Sequence, residues 1–228
     1  MILIDGDIVA YRCAFKCNDE SEKTACYTTG SFLSDLISDL YTKIESEPDY
    51  RIYLTGKGNY RNDVAVTAPY KGNRKEKPVH LEPIRKYLIE DWNAVVSEGE
   101  EADDLIAIDA TSTPDSIIVS LDKDFQQVPC KHYNFNKREL TSLNEEEGLL
   151  FFYRQIIMGD KADNIVGVYG IGDKKSKKLL EGLTEIEMFN KCVELLESED
   201  RVIENARLLW LRRKPDQMWE KPSEKNQT

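Results

Sequence analysis

Residues 116–124 read Ser-Ile-Ile-Val-Ser-Leu-Asp-Lys-Asp, and residues 2–7 read Ile-Leu-Ile-Asp-Gly-Asp. Each is a short apolar run, rich in β-branched residues, that stops at an acid. Continuous apolar runs without alternation mark strands buried on both faces, as in a parallel sheet. Arg51–Leu54 (RIYL) predicts a second strand and 93–96 a short third one. Helical periodicity lies between them, over 8–17, 32–44, 81–91 and 101–111. The stretch 32–44 carries apolar residues at 32, 33, 36, 37, 40, 41 and 44. Strands alternating with helices imply an α/β fold, a mostly parallel central sheet flanked by helices. Beyond about residue 144 helices dominate, over 144–158, 174–181, 185–198 and 201–213. The expected division is an α/β domain over 1–150 and a helical subdomain over 151–228. The polar tail from Pro215 is expected to fray.

The chain has 228 residues, and 31 Lys plus Arg against 42 Asp plus Glu give a net charge of −11. Forty per cent hydrophobic residues suffice for a core. No apolar run approaches the roughly 20 residues of a membrane span, so no membrane partner is expected. The apolar start is cut by Asp5 and Asp7, which is not the pattern of a secretory leader. Five cysteines (Cys13, Cys17, Cys26, Cys130 and Cys192) are scattered, with only His80 and His132 to join them. That excludes a disulfide framework or zinc site and predicts reduced thiols in a cytoplasmic protein. The acidic balance argues against non-specific coating of nucleic acid. It leaves room for a nuclease, because metal-binding carboxylates count as negative until cations occupy them.

The carboxylates are the main chemical signal. Asp5 follows one strand, Asp122 and Asp124 follow another, and Glu101, Asp103 and Asp104 open a helix in Glu-Glu-Ala-Asp-Asp-Leu. The carboxyl ends of parallel strands open onto one crevice, so Asp5 and Asp122 should converge there. Asp160 and Asp163, three apart in Met-Gly-Asp-Lys-Ala-Asp-Asn, form a further pair. One acid after a strand is often an ordinary helix cap. Caps need one acid each, however, and Asp103 and Asp124 have no capping role to fill. Crowded carboxylates are tolerable with divalent cations between them, and hard oxygen donors select magnesium or manganese. Two such ions about 3.5–4 Å apart are the usual machinery of phosphodiester hydrolysis.

Two basic segments accompany them. Residues 165–180, IVGVYGIGDKKSKKLL, place Gly167, Gly170 and Gly172 in a turn before a helix carrying Lys174, Lys175, Lys177 and Lys178. Close backbone approach and helix-start amides suit a phosphate. The Gly-containing stretch 56–80 predicts a long functional loop, with Tyr70, Lys71 and Arg74 near the crevice. A cation there could neutralise a phosphate in a transition state.

The motifs LIDGD, NYR…APYKGNRKEKP, EEADDL, SLDKDFQQV and GDKADNIVGVYGIGDKKSKKLL occur in one order. In that order they resemble the phage and bacterial 5'-3' exonuclease and flap endonuclease family, its shorter phage members most. The resemblance covers about residues 1–185. It implies a PIN-like nuclease domain followed by a helix-hairpin-helix region at about 160–180, of the helix-three-turn-helix variant. It also implies two magnesium ions, replaceable by manganese. Asp5, Glu101, Asp103 and Asp122 would hold one ion. Asp124, Asp160 and Asp163 would hold the other, with Asp104 between. Lys71 would contact the scissile phosphate with Arg74 assisting. Tyr70 would stack near a 5' end. Arg61, Gly167, Gly170, Gly172, Lys174 and Lys175 would bind DNA, with a potassium ion at the hairpin. The partner would be DNA with 5' ends (duplex, nicked, flapped or RNA-primed), the protein a monomer, and the compartment the cytoplasm, a host's if phage-encoded.

Two departures stand out. The family carries an Asp at or just after the second strand, where YLTGKGNYR has none, leaving Thr55 or water. The basic arch looks short, since Pro78 and Pro83 interrupt any long helix there. Three other readings compete. A haloacid-dehalogenase-like phosphatase fits IDGDIV, with Asp5 as nucleophile and Asp7 as acid, but not the spacing of GDKAD. An inactive DNA-binding scaffold fits the missing acid. A free-standing PIN ribonuclease does not need the helical extension.

Overall fold

The computed structural model describes residues 1–72 and 76–223. The chain divides into two compact units. The first comprises Met1–Gly58, a central stretch ending at Phe125, and Cys130–Ser142. The second comprises a stretch beginning at Asn59, then Gln126–Pro129, then the chain from Leu143 onward. The expected single cut near residue 150 therefore gives way to a discontinuous division. The loop with Tyr70 and Lys71 belongs to the helical unit.

The first unit holds a six-stranded sheet in the order β3-β2-β1-β4-β5-β6. Its strands are β1 (Ile2–Asp5), β2 (Tyr50–Lys57), β3 (Val95–Glu98), β4 (Ile117–Val119), β5 (Lys131–Asn134) and β6 (Glu139–Ser142). The first five strands pair in parallel, and β6 closes the edge antiparallel to β5. All four expected strands are present, but β2 runs on past Leu54 to Lys57, into the stretch expected to be loop, and β3 lies two residues later than 93–96. The β5–β6 hairpin was not expected, because KHYN and ELTS are half-polar edge strands with little apolar signal.

Among the described residues, this unit carries the α-helices α1 (Gly6–Lys16), α2 (Glu22–Ile44), α4 (Leu81–Trp92) and α5 (Ala102–Ser112). The helix expected from residue 32 begins at Glu22, where the Ser21 side chain accepts from Thr24 N–H. Pro83 sits in the first turn of α4, where a missing N–H costs nothing. Ile2, Ile4, Val9, Leu33, Leu40, Ile52, Leu54, Ile84 and Leu88 form one apolar core. Gly6 lets α1 start directly against β2, since a Cβ there would stand 2.5 Å from the Tyr53 carbonyl oxygen.

The second unit contains α3 (Arg61–Val64), α6 (Glu145–Met158), the short hairpin of β7 (Gly159–Asp160) and β8 (Ile165–Val166), α7 (Asp173–Leu180), α8 (Glu185–Leu196) and α9 (Glu199–Leu209). Phe152, Tyr153, Ile156, Leu180, Phe189, Val202, Ala206 and Leu209 make its core. Trp219 joins that core, 5% exposed, against Phe152 and Phe189. The expectation of a fraying tail from Pro215 is thus corrected as far as Trp219, because an indole supplies enough apolar surface to anchor the strand of chain around it. All five cysteines are free thiols. Among the described residues no helix is long and apolar enough to cross a membrane.

Candidate metal centre and nucleic-acid interface

In the first unit Asp5 and Asp122 lie at or just after the carboxyl ends of the neighbouring parallel strands β1 and β4. Asp5 ends β1 and is 2% exposed. Its Oδ1 accepts the Ile8 N–H of α1 at 3.0 Å, so it caps that helix. Its Oδ2 accepts the Ser120 hydroxyl at 2.6 Å. Ser120 Oγ in turn accepts the Asp122 N–H at 3.0 Å, and Asp122 Oδ1 accepts the Asp124 N–H at 2.9 Å. Asp5 and Asp122 are therefore linked through Ser120, and the Asp124 backbone is tied to Asp122. Burial pushes the Asp5 carboxyl up to about 7 against the pull of its Ser120 and Ile8 hydrogen bonds, and the charges of Asp7 and Asp122 add to the rise. A buried carboxylate crowded by two others is the electrostatic situation that a cation relieves.

Glu101 is the N-cap of α5 and is buried. Asp104 is fully buried, and its Oδ2 accepts the Glu101 N–H at 3.2 Å. The acidic helix start therefore also serves as a capping box. Asp103 is half-buried in the first turn of α5. Thr55, which the sequence offers as the stand-in for an acid expected near the second strand, accepts the Ala102 N–H on Oγ1 at 3.0 Å. It fixes the start of α5 beside β2.

Asp7, which the nuclease reading gave no role, and Arg85 form a further polar group. Asp7 Oδ2 accepts the Thr55 N–H at 2.9 Å, and its Oδ1 is ion-paired with Arg85. Arg85 also donates to the Thr55 carbonyl. The second acid of LIDGD thus braces the end of β2 rather than acting as a phosphatase acid. The signal available was the DGD spacing alone. The donors are all oxygens of short side chains, which suits a hard divalent cation in kind. Among the described residues no group of three or more His, Cys, Asp and Glu side chains stands ready-made for a metal ion.

In the second unit, Asp160 is buried at the end of β7 and its Oδ1 accepts the Ala162 N–H at 2.7 Å. Asp163 faces two groups of the basic loop. The Tyr70 hydroxyl donates to its Oδ2 at 2.9 Å, and Lys71 Nζ stands 3.7 Å from its Oδ1. Lys71 N–H donates to the Asp163 carbonyl at 2.9 Å. Lys71 has φ 54°, a left-handed conformation that the surrounding bonds must hold. Arg74 lies outside the described residues.

One DNA-binding expectation is corrected here. Arg61 is 1% exposed and donates from Nε to the Leu208 carbonyl and from Nη2 to the Trp210 carbonyl, both at 2.8 Å. It closes the C-terminal end of α9 and has no surface to offer DNA. Gly167 packs backbone on backbone, and a Cβ there would stand 2.2 Å from the Met158 carbonyl group. Gly170 (φ 75°) and Gly172 have nothing within 4 Å of a built Cβ. Lys174 and Lys175 are exposed at the start of α7, and Tyr169 is fully exposed in the glycine-containing turn between β8 and α7. Of the C-terminal basic residues, Arg212 packs over the Tyr60 ring at 3.9 Å. Arg213 donates to the Gln127 carbonyl at 2.7 Å.

The family model described as "5'-3' exonuclease, N-terminal resolvase-like domain" matches residues 1–151. The chain belongs to this 5'-3' exonuclease family. A 5'-3' exonuclease of Buchnera aphidicola subsp. Schizaphis graminum is 28% identical, over 87% of this chain and 75% of that protein. DNA polymerase I of Bacillus caldotenax is 29% identical over 87% of this chain, which spans 25% of the polymerase's length. Among solved structures, the T5 5'-exonuclease with bound zinc ions is similar, with TM-score 0.68 at 20% identity, covering 92% of this chain and 88% of that one. A bacteriophage T5 flap endonuclease variant, in a pseudo-enzyme–product complex with DNA and metal ions, has TM-score 0.66 at 22% identity, covering 91% and 88%. The exonuclease family fold therefore matches the mostly parallel α/β architecture described above.

Proposed function

We propose that the chain is a magnesium-dependent 5'-3' exonuclease of flap-endonuclease type, hydrolysing phosphodiester bonds near the 5' ends of duplex DNA. The observation that carries the reading is the linked set of Asp5, Ser120, Asp122 and Asp124, with Asp5 held up near neutrality among like charges. In the first unit, Asp5, Glu101, Asp103 and Asp122 are read as ligands of one ion, with Asp104 and Asp124 as further carboxylates. In the second unit, Asp160 and Asp163 are read as ligands on their motif. A divalent ion bound by such carboxylates supplies Lewis acidity and a bound water of lowered pKa.

The chain's own residues do the rest. Lys71 offers a positive charge to the phosphate undergoing attack. Arg74 assists it, and Tyr70 presents a ring against a base or sugar. Gly167, Gly170 and Gly172, with Lys174 and Lys175, grip duplex backbone, with a potassium ion at the hairpin as the finer form of that reading. Such contacts read shape and charge and carry little sequence preference. RNA primers on DNA, a monomeric state and a cytoplasmic setting belong to the same proposal.

The test is a panel of blunt, nicked, gapped, flapped and RNA-primed duplexes, 5'-labelled, with and without magnesium. Asp122→Asn should abolish cleavage, and Lys71→Ala should slow single turnover while DNA affinity survives. A mobility shift in chelator, followed by no degradation on adding metal, would instead support a binding scaffold.

A further inference from the structure

The loop from Ala65 to Lys71 has no regular secondary structure, yet its backbone donors still need partners. Glu204 of α9 provides them. Its Oε1 accepts the N–H groups of Val66 at 2.7 Å and Thr67 at 2.6 Å, and its Oε2 accepts the Thr67 hydroxyl at 2.5 Å. Hydrogen bonds to an ionised acceptor belong to the stronger class. Partial burial works to raise this carboxyl, but the Thr67 and Val66 bonds and the Arg201 charge outweigh it and hold it below its ordinary value.

The far end of the loop is held separately. Asn164 Nδ2 donates to the Pro69 carbonyl at 2.9 Å, and Lys71 N–H donates to the Asp163 carbonyl at 2.9 Å. The segment that delivers Tyr70 and Lys71 is therefore gripped at both ends. The same helix face reaches the base of the glycine hairpin. Arg201 Nη2 and Asn205 Nδ2 both donate to the Val166 carbonyl, at 2.9 and 3.0 Å. Residues 201, 204 and 205 are neighbours on a helix surface.

We propose that Glu204 is a positioning residue for Lys71, and that α9 is the strut keeping the Lys71 loop and the base of the glycine hairpin in register. The inference rests on the reading of Lys71 as the phosphate-neutralising cation. A displaced cation loses transition-state stabilisation without losing duplex binding, and misplacement by about 1 Å can cost on the order of a hundredfold in rate.

The experiment is a double-mutant cycle on Lys71→Ala and Glu204→Ala, read as single-turnover cleavage of 5'-labelled nicked duplex with excess magnesium. DNA affinity is measured in chelator. Glu204→Ala should slow cleavage about ten- to a hundredfold with affinity within about twofold, and the double variant should be no slower than Lys71→Ala by more than about twofold. Amide hydrogen exchange at residues 66 and 67 should accelerate, independently of activity. Thr67→Val, which removes only the hydroxyl bond on an exposed side chain, should give a smaller loss in the same direction and serves if Glu204→Ala fails to fold. Losses that multiply independently, or a Glu204→Ala enzyme of normal rate beside a slow Lys71→Ala, would overturn the positioning role while leaving Lys71 in place. A normal rate for Lys71→Ala would overturn the Lys71 reading, and this inference with it.

Discussion

Replacing Asp5 with Asn should stabilise the metal-free protein at alkaline pH while removing its response to magnesium. The Asp5 carboxyl rises from an ordinary 3.8 to about 7, chiefly through burial. At about 1.4 kcal/mol for each tenfold change in an ionisation constant, the upper bound on the ionised group's cost is about 4 kcal/mol. Asn loses the charge-assisted character of the bonds from Ile8 N–H and Ser120, so a net gain of about 2 kcal/mol is expected.

The sign follows from proton binding. Between 3.8 and about 7 the folded state holds a proton that the unfolded state has released. Stability is therefore lost as pH rises across that window, and the cost is complete above about 7. Urea denaturation of chelator-stripped protein at about pH 4 and about pH 8 reads this difference directly. Wild type and Asp5→Asn should agree at the lower pH and diverge at the higher one. Excess magnesium should restore the wild type at the higher pH and leave the variant unmoved. Equal stability of the two proteins at about pH 8 would refute the reasoning, since the buried ionised carboxylate would then carry no cost.

Arg61→Ala should destabilise the protein by about 3 kcal/mol or more, because it takes the guanidinium donors from the buried Leu208 and part-buried Trp210 carbonyls and removes a large packed side chain; a urea midpoint within about 0.5 kcal/mol of wild type would contradict its internal role. Tyr169→Ala, in the exposed turn between β8 and α7, should leave stability unchanged yet weaken duplex binding in chelator about tenfold, the scale of one lost stacking contact. Unchanged affinity in a gel-shift titration would remove Tyr169 from the DNA interface.

The order of elements, the parallel sheet and the convergence of Asp5 with Asp122 were legible in the sequence. Apolar strands ended by acids encode those features locally. The role of Arg61 was not legible in this way. A basic residue inside a basic motif looks like a phosphate ligand until its guanidinium is found against the Leu208 and Trp210 carbonyls. The close packing of Gly167 on the Met158 backbone, which leaves no room for a Cβ, has no signature in the local sequence either. Glu204 carried no motif at all, because its partners Val66 and Thr67 lie more than a hundred residues away. Sequence alone determined which chemistry-bearing side chains exist and which strand or helix end carries each. Only the tertiary structure decided which of them have free valence for a ligand, because hydrogen-bond partners are chosen by proximity in space and local pattern contains no record of distant carbonyls.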